Sequence, residues 1–490
     1  MKVRRTSIAF MLFVLIAIMS GRTCADEPEY SGVFACLGCH SAGEQTPYVD
    51  SLPLVRLDEV GVWHDQDKHS LAYCVLNGEL GRRMSERLGY NVAQAVACLV
   101  CHAPRHEQRS ADSAAPPNYK LAEGVSCEDC HGGSRGWHRL HVLKDQWRGL
   151  TPEQKQSHGM NDLRDPLQRA TICLDCHVGN ASKGQQVTHA MYAAGHPPLA
   201  SIDIVAYAND MPRHWRTPAE QADRGATVAN ASPAADVQMA LIGHLVAAER
   251  SLELAAQTFK TLPDFAQFDC DACHHELSSP SWRQAQFAQG VPGRPLYREW
   301  PLRMATLASR HAGSELTTAL DELNALLQAR PFGGDGQATS AASLELANMF
   351  STQAQALAKV EGRAEHGELV ELVLAHALDS ERPPDYDTAR TLAWLLHHAL
   401  PAPGGDAELA WNELVGQLGL AIPPRVDVVK NASLEPACGA LTPEPIADNL
   451  PAALRPRAEF DPVRFQAGLR RYVEASRREL RLPNANALHR

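Results

Sequence analysis

Aromatic residues are scarce in this chain of 490 residues: Phe, Trp and Tyr make up 6% of it. A core this poor in flat apolar side chains needs bulk from another source. Long hydrophobic runs are also missing. The longest, residues 8–19, falls short of the roughly 20 residues that span a bilayer. Positive charge is in deficit, with 46 Lys and Arg against 57 Asp and Glu and a formal net charge of -11. Residues 1–25 carry four basic groups and no acidic one, so the rest of the chain stands at about -15. Nucleic acid is excluded as a partner on this count, because a phosphate backbone is bound by basic patches.

Cysteine is plentiful, and ten of the thirteen fall into one repeated pattern. Cys-x-x-Cys-His occurs as Cys36–Cys39–His40, Cys98–Cys101–His102, Cys127–Cys130–His131, Cys173–Cys176–His177 and Cys270–Cys273–His274. This spacing is the signature of covalent c-type haem attachment. The two thiols form thioethers with the vinyl groups, and the adjacent imidazole lies where it can bind iron from one face. Zinc sites also use Cys-x-x-Cys with His, but do not require His directly after the second Cys in every copy. The expected cofactor is therefore haem c, five covalently attached groups, with His40, His102, His131, His177 and His274 as proximal ligands. Haem rings would also supply the missing flat apolar bulk. Of the other cysteines, Cys24 is expected to leave with a cleaved segment. Cys74 and Cys438 could pair, although two buried thiols is the simpler expectation.

Lys2, Arg4 and Arg5, the apolar run and the small residues around Thr23-Cys24-Ala25 read as a signal peptide over residues 1–25. Export to the periplasm follows, where haem is joined to the unfolded chain. The motifs end at His274, which divides the remainder into a pentahaem cytochrome c domain at 26–299 and a haem-free helical domain at 300–490.

The second face of each iron decides what it can do. A second histidine closes the iron for outer-sphere electron transfer, whereas an open position admits substrate. Eleven histidines from His64 to His275 remain after the proximal ones are set aside. Asp65 or Asp67 can cap a helix carrying His69 and ending near Gly78. Trp137, His138 and His141 fall on one short helix, with His138 the rival of His141. A helix from 187 to 194, ended by Gly195 and two prolines, presents His189 and His196 two turns apart, where they could serve two haems. His214, in Pro212-Arg213-His214-Trp215, is the fifth choice, with His244, His275 and His64 as alternatives.

Apolar spacing gives an amphipathic helix over 237–260, with Val237, Leu241, Leu245, Ala248 and Leu252 on one stripe. The segment 282–298 reads as a loop. Beyond Trp300, Leu316, Ala319, Leu320, Leu323, Leu326 and Leu327 form another stripe that Pro331 to Gly336 interrupts. Further helices are expected over 341–360, 368–378, 385–400 and 406–418, and from Pro462 with Asp461 as cap. Short connections predict antiparallel packing, so the fold class is mainly α with little regular strand, ending in a bundle-like domain. His311, His366, His376, His397 and His398 lie on these helices and read as structural or exposed.

Residues from about 31 to 298 resemble the multihaem c-type cytochromes of the cytochrome c-554 class. The resemblance rests on Gly124 to Gly132, Trp137 with His141, the stretch His189 to Leu199, Pro212 to Trp215, and Cys270 to His275. It implies a mainly helical protein with closely packed haems that passes electrons in the periplasm, with His69, His141, His189 and His196 as distal ligands. The namesake carries four haems, and residues 300–490 match no motif of that class. The expected function is electron transfer between donor and acceptor redox proteins through five haems. The alternative is an oxidoreductase acting on a small nitrogen or sulfur compound at one open haem. No Cys-x-x-Cys-Lys variant is present, so the catalytic haem of pentahaem nitrite reductases has no counterpart. The last 190 residues are expected either to cap haem edges or to dock the protein in a membrane-associated respiratory complex.

Overall fold

A computed structural model describes residues 30–41, 53–104, 120–225, 233–258, 264–278, 281, 291, 293–331, 334–360, 366–420 and 455–480. The expected signal peptide, Cys24, Cys438 and most of the 282–298 loop lie outside these residues. The described chain is mainly α-helical. It contains isolated bridges such as Asn180 with Gln185 and Phe268 with Tyr297, and no sheet among the described residues. No described helix is long and apolar enough to cross a membrane.

The first part is a series of short helices: α1 (Val33–His40), α2 (Glu59–Gln66), α3 (Glu79–Leu88), α4 (Val96–His102), α5 (Cys127–His131), α6 (Pro166–His177), α7 (His189–Ala194) and α8 (Ile204–Asp210). Long helices follow: α9 (Pro233–Thr258), α10 (Glu299–His311), α11 (Thr317–Ala329), α12 (Gly336–Ala358), α13 (His366–Ala377), α14 (Tyr386–Ala399), α15 (Gly405–Leu418) and α16 (Pro462–Leu480). Three of them start at acidic caps. Asp335 accepts from the Gln337 and Ala338 amides, Asp385 from Thr388, and Asp461 from Val463 and Arg464, with Pro462 at the first helical position.

Helix α9 is the hub. The sequence gives it one apolar stripe, yet Ile242 and Val246 on its other side are as buried as Leu245. The reason is that α6 covers one face while α10, α12 and α14 cover the others. A helix with apolar residues on more than one face belongs in an interior. Leu174 of α6, Leu245 of α9, Leu307 of α10, Phe350 of α12 and Leu392 of α14 thus share one apolar core, which runs across the 299/300 position. Phe350 is fully buried in it. Phe350→Ala is expected to cost about 3–5 kcal/mol, read as a lower urea midpoint with an unchanged m-value.

Two local expectations are corrected. The chain around His69 forms two 3-10 turns, Lys68–Leu71 and Cys74–Asn77, in place of one helix. Asp67 does cap the first turn, but its carboxylate accepts from the His69 amide and its backbone carbonyl accepts from the Ser70 hydroxyl. Such local bonds compete with helix propagation. Cys74, buried, is disulfide-bonded and not a thiol; its partner lies outside the described residues.

Candidate functional site

Helical spacing explains how each motif presents its side chains. Positions i, i+3 and i+4 share one helix face, and the first four motifs end α1, α4, α5 and α6. The fifth occupies a 3-10 turn, Cys270–Ala272, capped by Asp269, with the His274 amide bonded to the Cys270 carbonyl at 2.8 Å.

Buried carboxylates hold the motifs together. Glu128, between the two cysteines of the third motif, accepts from the Ser31, Gly32 and Ser134 amides at 2.7–2.9 Å. Two of these amides precede α1, so the third motif anchors the first where α1 leaves donors unsatisfied. The Trp63 indole donates to the Val125 carbonyl at 3.0 Å, adding α2 to the same corner. Gly124, at φ +59°, lets the chain pass under the His69 turn, where a Cβ would lie 2.7 Å from the His69 carbonyl. Asp175, inside the fourth motif, accepts from Arg250 of α9 at 3.0 Å. Sequence reasoning missed Glu128 and Asp175; the signal was an acid placed between motif cysteines, where solvent exposure was the simpler guess.

Four of the five motif histidines, His40, His102, His177 and His274, each face one of the distal candidates. Ring centroids are 6.3 Å apart for His40 and His141, 6.3 Å for His102 and His196, 6.2 Å for His177 and His69, and 6.1 Å for His274 and His189. His131 has His214 as its neighbouring imidazole charge. Metal–nitrogen bonds of about 2 Å, plus roughly 1 Å from nitrogen to ring centre on each side, separate two trans imidazoles by about 6 Å. The gap between the rings therefore suits one metal ion. Ring planes are 21° and 26° apart for the pairs at His40 and His274, and 87° and 76° for those at His177 and His102.

A cavity of about 2440 Å³ takes in His40, His102, His131 and His177 together with His69, His141, His196 and His214. Single small-molecule pockets measure about 300–1,000 Å³, so this one has room for several groups. The cysteines of the first four motifs also reach it, as Cys36, Cys101, Cys127, Cys130, Cys173 and Cys176. The donor set, thiols and neutral imidazoles around an apolar space, fits covalent haem. The fifth motif and His189 stand outside this cavity.

Burial keeps most of these imidazoles neutral, as metal binding requires. It pushes His131 and His177 down to about 4, and lowers His102, His141 and His196. His40 is raised by its hydrogen bond to Glu59. At His69 burial acts downward, but Asp67 raises it overall.

The rival histidines are engaged elsewhere. His138 bonds the Ala35 carbonyl at 3.1 Å, and turns replace the expected helix around it and His141. His64 meets Asp65 at 2.9 Å, His275 the Glu276 carbonyl at 3.1 Å, and His244 is buried beside Asp203. Among the helices beyond Trp300, His397 stacks on Trp411 with 4.0 Å between centroids and His398 bonds Asp203 at 2.8 Å.

Residues 35–132 match the family model described as Cytochrome c554 and c-prime. The match supports a c-type cytochrome. It covers the first three motifs and His69 and stops before the rest of the histidine pairs. No curated protein and no solved structure matches the chain.

Proposed function

We propose that the chain is an exported, periplasmic cytochrome with five covalently attached haems, passing electrons between a donor and an acceptor protein. The pairing of four motif histidines with a second imidazole at 6.1–6.3 Å supports this reading most directly. In it, ten motif cysteines anchor the haems, the five proximal histidines bind iron from one side, and His141, His196, His214, His69 and His189 bind from the other. Each haem would supply a one-electron iron couple. The chain's own part is to hold these groups close, orient their ligands and keep water from the iron.

Side-chain contacts suggest the order. Cys36 lies near Cys127, Cys130 near Cys173, and Cys101 near Cys176, all on one cavity. His189 opens α7 and His196 lies two residues past its end, joining the second and fifth sites. The motifs thus run in space as first, third, fourth, second, fifth. Residues 300–490 would serve as the helical support of α9, and a docking role in a membrane-associated assembly is compatible with that.

The alternative, catalysis on a small nitrogen or sulfur compound, needs a proximal histidine with nothing opposite. Four of the five have an imidazole opposite, and His214 lines the same cavity as the fifth, His131, which favours electron transfer.

A pyridine haemochrome assay with EPR of the oxidised protein tests the proposal. Five covalent haems are expected, all low-spin and unchanged by nitrite, hydroxylamine or cyanide. Fewer than five haems sinks the reading, and a high-spin signal that responds to those ligands favours catalysis. The ring angles add a finer expectation. Parallel imidazoles act on the same iron d orbital and give rhombic spectra, whereas perpendicular ones leave two orbitals nearly degenerate and give a single large g value. Both classes should be present.

A further inference from the structure

The histidine pairs differ in what their outer nitrogens touch. Nδ1 of His40 donates to Glu59 Oε2 at 3.0 Å, and Nδ1 of His69 donates to Asp67 Oδ1 at 2.9 Å. Four other candidate ligands give Nδ1 to a backbone carbonyl: His102 to Ala72, His141 to His138, His196 to Pro197 and His214 to Pro212. A carboxylate in this position makes the imidazole more basic, since it stabilises the form that has partly given up its Nδ1 proton. A stronger donor favours ferric over ferrous iron and lowers the midpoint potential.

Both carboxylates are built into place. Glu59 is the first residue of α2, and its Oε1 accepts the Arg56 amide at 2.6 Å, which fixes Oε2 towards His40. Asp67 Oδ1 takes the His69 amide and ring together, at 3.0 and 2.9 Å. Their side chains are only 16% and 7% exposed, so water screens little of the effect.

We propose that Glu59 and Asp67 are positioning residues that set the irons at His40/His141 and His69/His177 to lower potentials than the sites bonded only to backbone carbonyls. In the spatial order above these are the first and third sites, so low and higher potentials alternate along that stretch. The inference rests on the bis-histidine reading.

EPR-monitored redox titration of the full-length holoprotein and of Glu59→Gln and Asp67→Asn tests it. Each variant should raise one midpoint by the equivalent of about tenfold in that couple's equilibrium, or about 59 mV for one electron. The two ring geometries separate the effects: Glu59→Gln should move a rhombic signal and Asp67→Asn a large-g signal. Glu59→Asp, which keeps a carboxylate, should stay closer to the parent. Unmoved midpoints in both variants, with five haems and low-spin spectra retained, overturn the inference alone; so do shifts in the wrong signal class. A parent protein with fewer than five covalent haems defeats the function proposed above and this inference with it. If Glu59→Gln fails to retain its haem, Asp67→Asn carries the same test at an independent site.

Discussion

Alanine at His69 is expected to turn one of five low-spin irons high-spin and to open it to cyanide, nitrite and hydroxylamine. The turn that carries His69 does not depend on its ring. Asp67 Oδ1 would still accept the residue 69 amide, and the Val125 amide would still donate to the residue 69 carbonyl, at 3.0 Å in each case. The substitution thus removes a ligand and spares the scaffold. Nearby imidazoles are poorly placed to substitute: His64 is engaged with Asp65, and His214 with the Pro212 carbonyl beside the third motif. The high-spin EPR signal should integrate to about one iron in five, and cyanide should return it to low spin. An unchanged set of low-spin signals would remove His69 from the ligand set.

Asp203→Ala should cost about 3–5 kcal/mol of folding stability, the usual loss when one partner of a buried ionic pair is removed. Asp203 caps α8 through the Ala206 amide at 2.9 Å, accepts from His398 Nε2 of α14 at 2.8 Å, and lies 3.6 Å from His244 Nε2 of α9. One carboxylate thereby joins three helices at the centre of the core. Burial pulls Asp203 upward, but His398 holds it below the usual carboxylate range. His398 is pulled down by burial and raised overall by Asp203. His244 is pushed to about 4 by burial and stays neutral, while Asp236, raised by burial, also acts on His398.

The signs of these shifts set the pH dependence. The lowered carboxylate contributes stability above about pH 3.9, lost as pH falls through its folded value. The raised imidazole contributes fully below about pH 6.5, and this is lost as pH rises through its own folded value. The pair is worth most between those limits. Urea unfolding should show a larger deficit for Asp203→Ala at pH 5.5 than at pH 9. A deficit that is the same at both pH values, or below about 1 kcal/mol, would show that no charged pair operates there.

The five Cys-x-x-Cys-His motifs were readable without coordinates, because covalent attachment is written into adjacent residues. Helices beyond Trp300 were readable from apolar spacing and, at Asp461, from a cap whose bonds span only two or three residues; Asp335 and Asp385 cap two more in the same way. Burial on every side of α9 was not readable, because neighbours up to more than a hundred residues away supply it. The same holds for Glu128, whose partners Ser31 and Gly32 lie 97 and 96 residues back.

The sequence by itself nominated the side chains that would hold haem and iron, since those roles depend on residue type and on spacing within one helical turn. It also nominated His69, His141, His189, His196 and His214 without saying which iron each would face. Only the tertiary structure decided the partnerships, because bringing His141 to His40 or His69 to His177 closes loops of about a hundred residues, and no local pattern encodes such a distance. It decided as well that Glu59 and Asp67 stand behind two of those rings, a placement that depends on where α2 and the His69 turn come to rest.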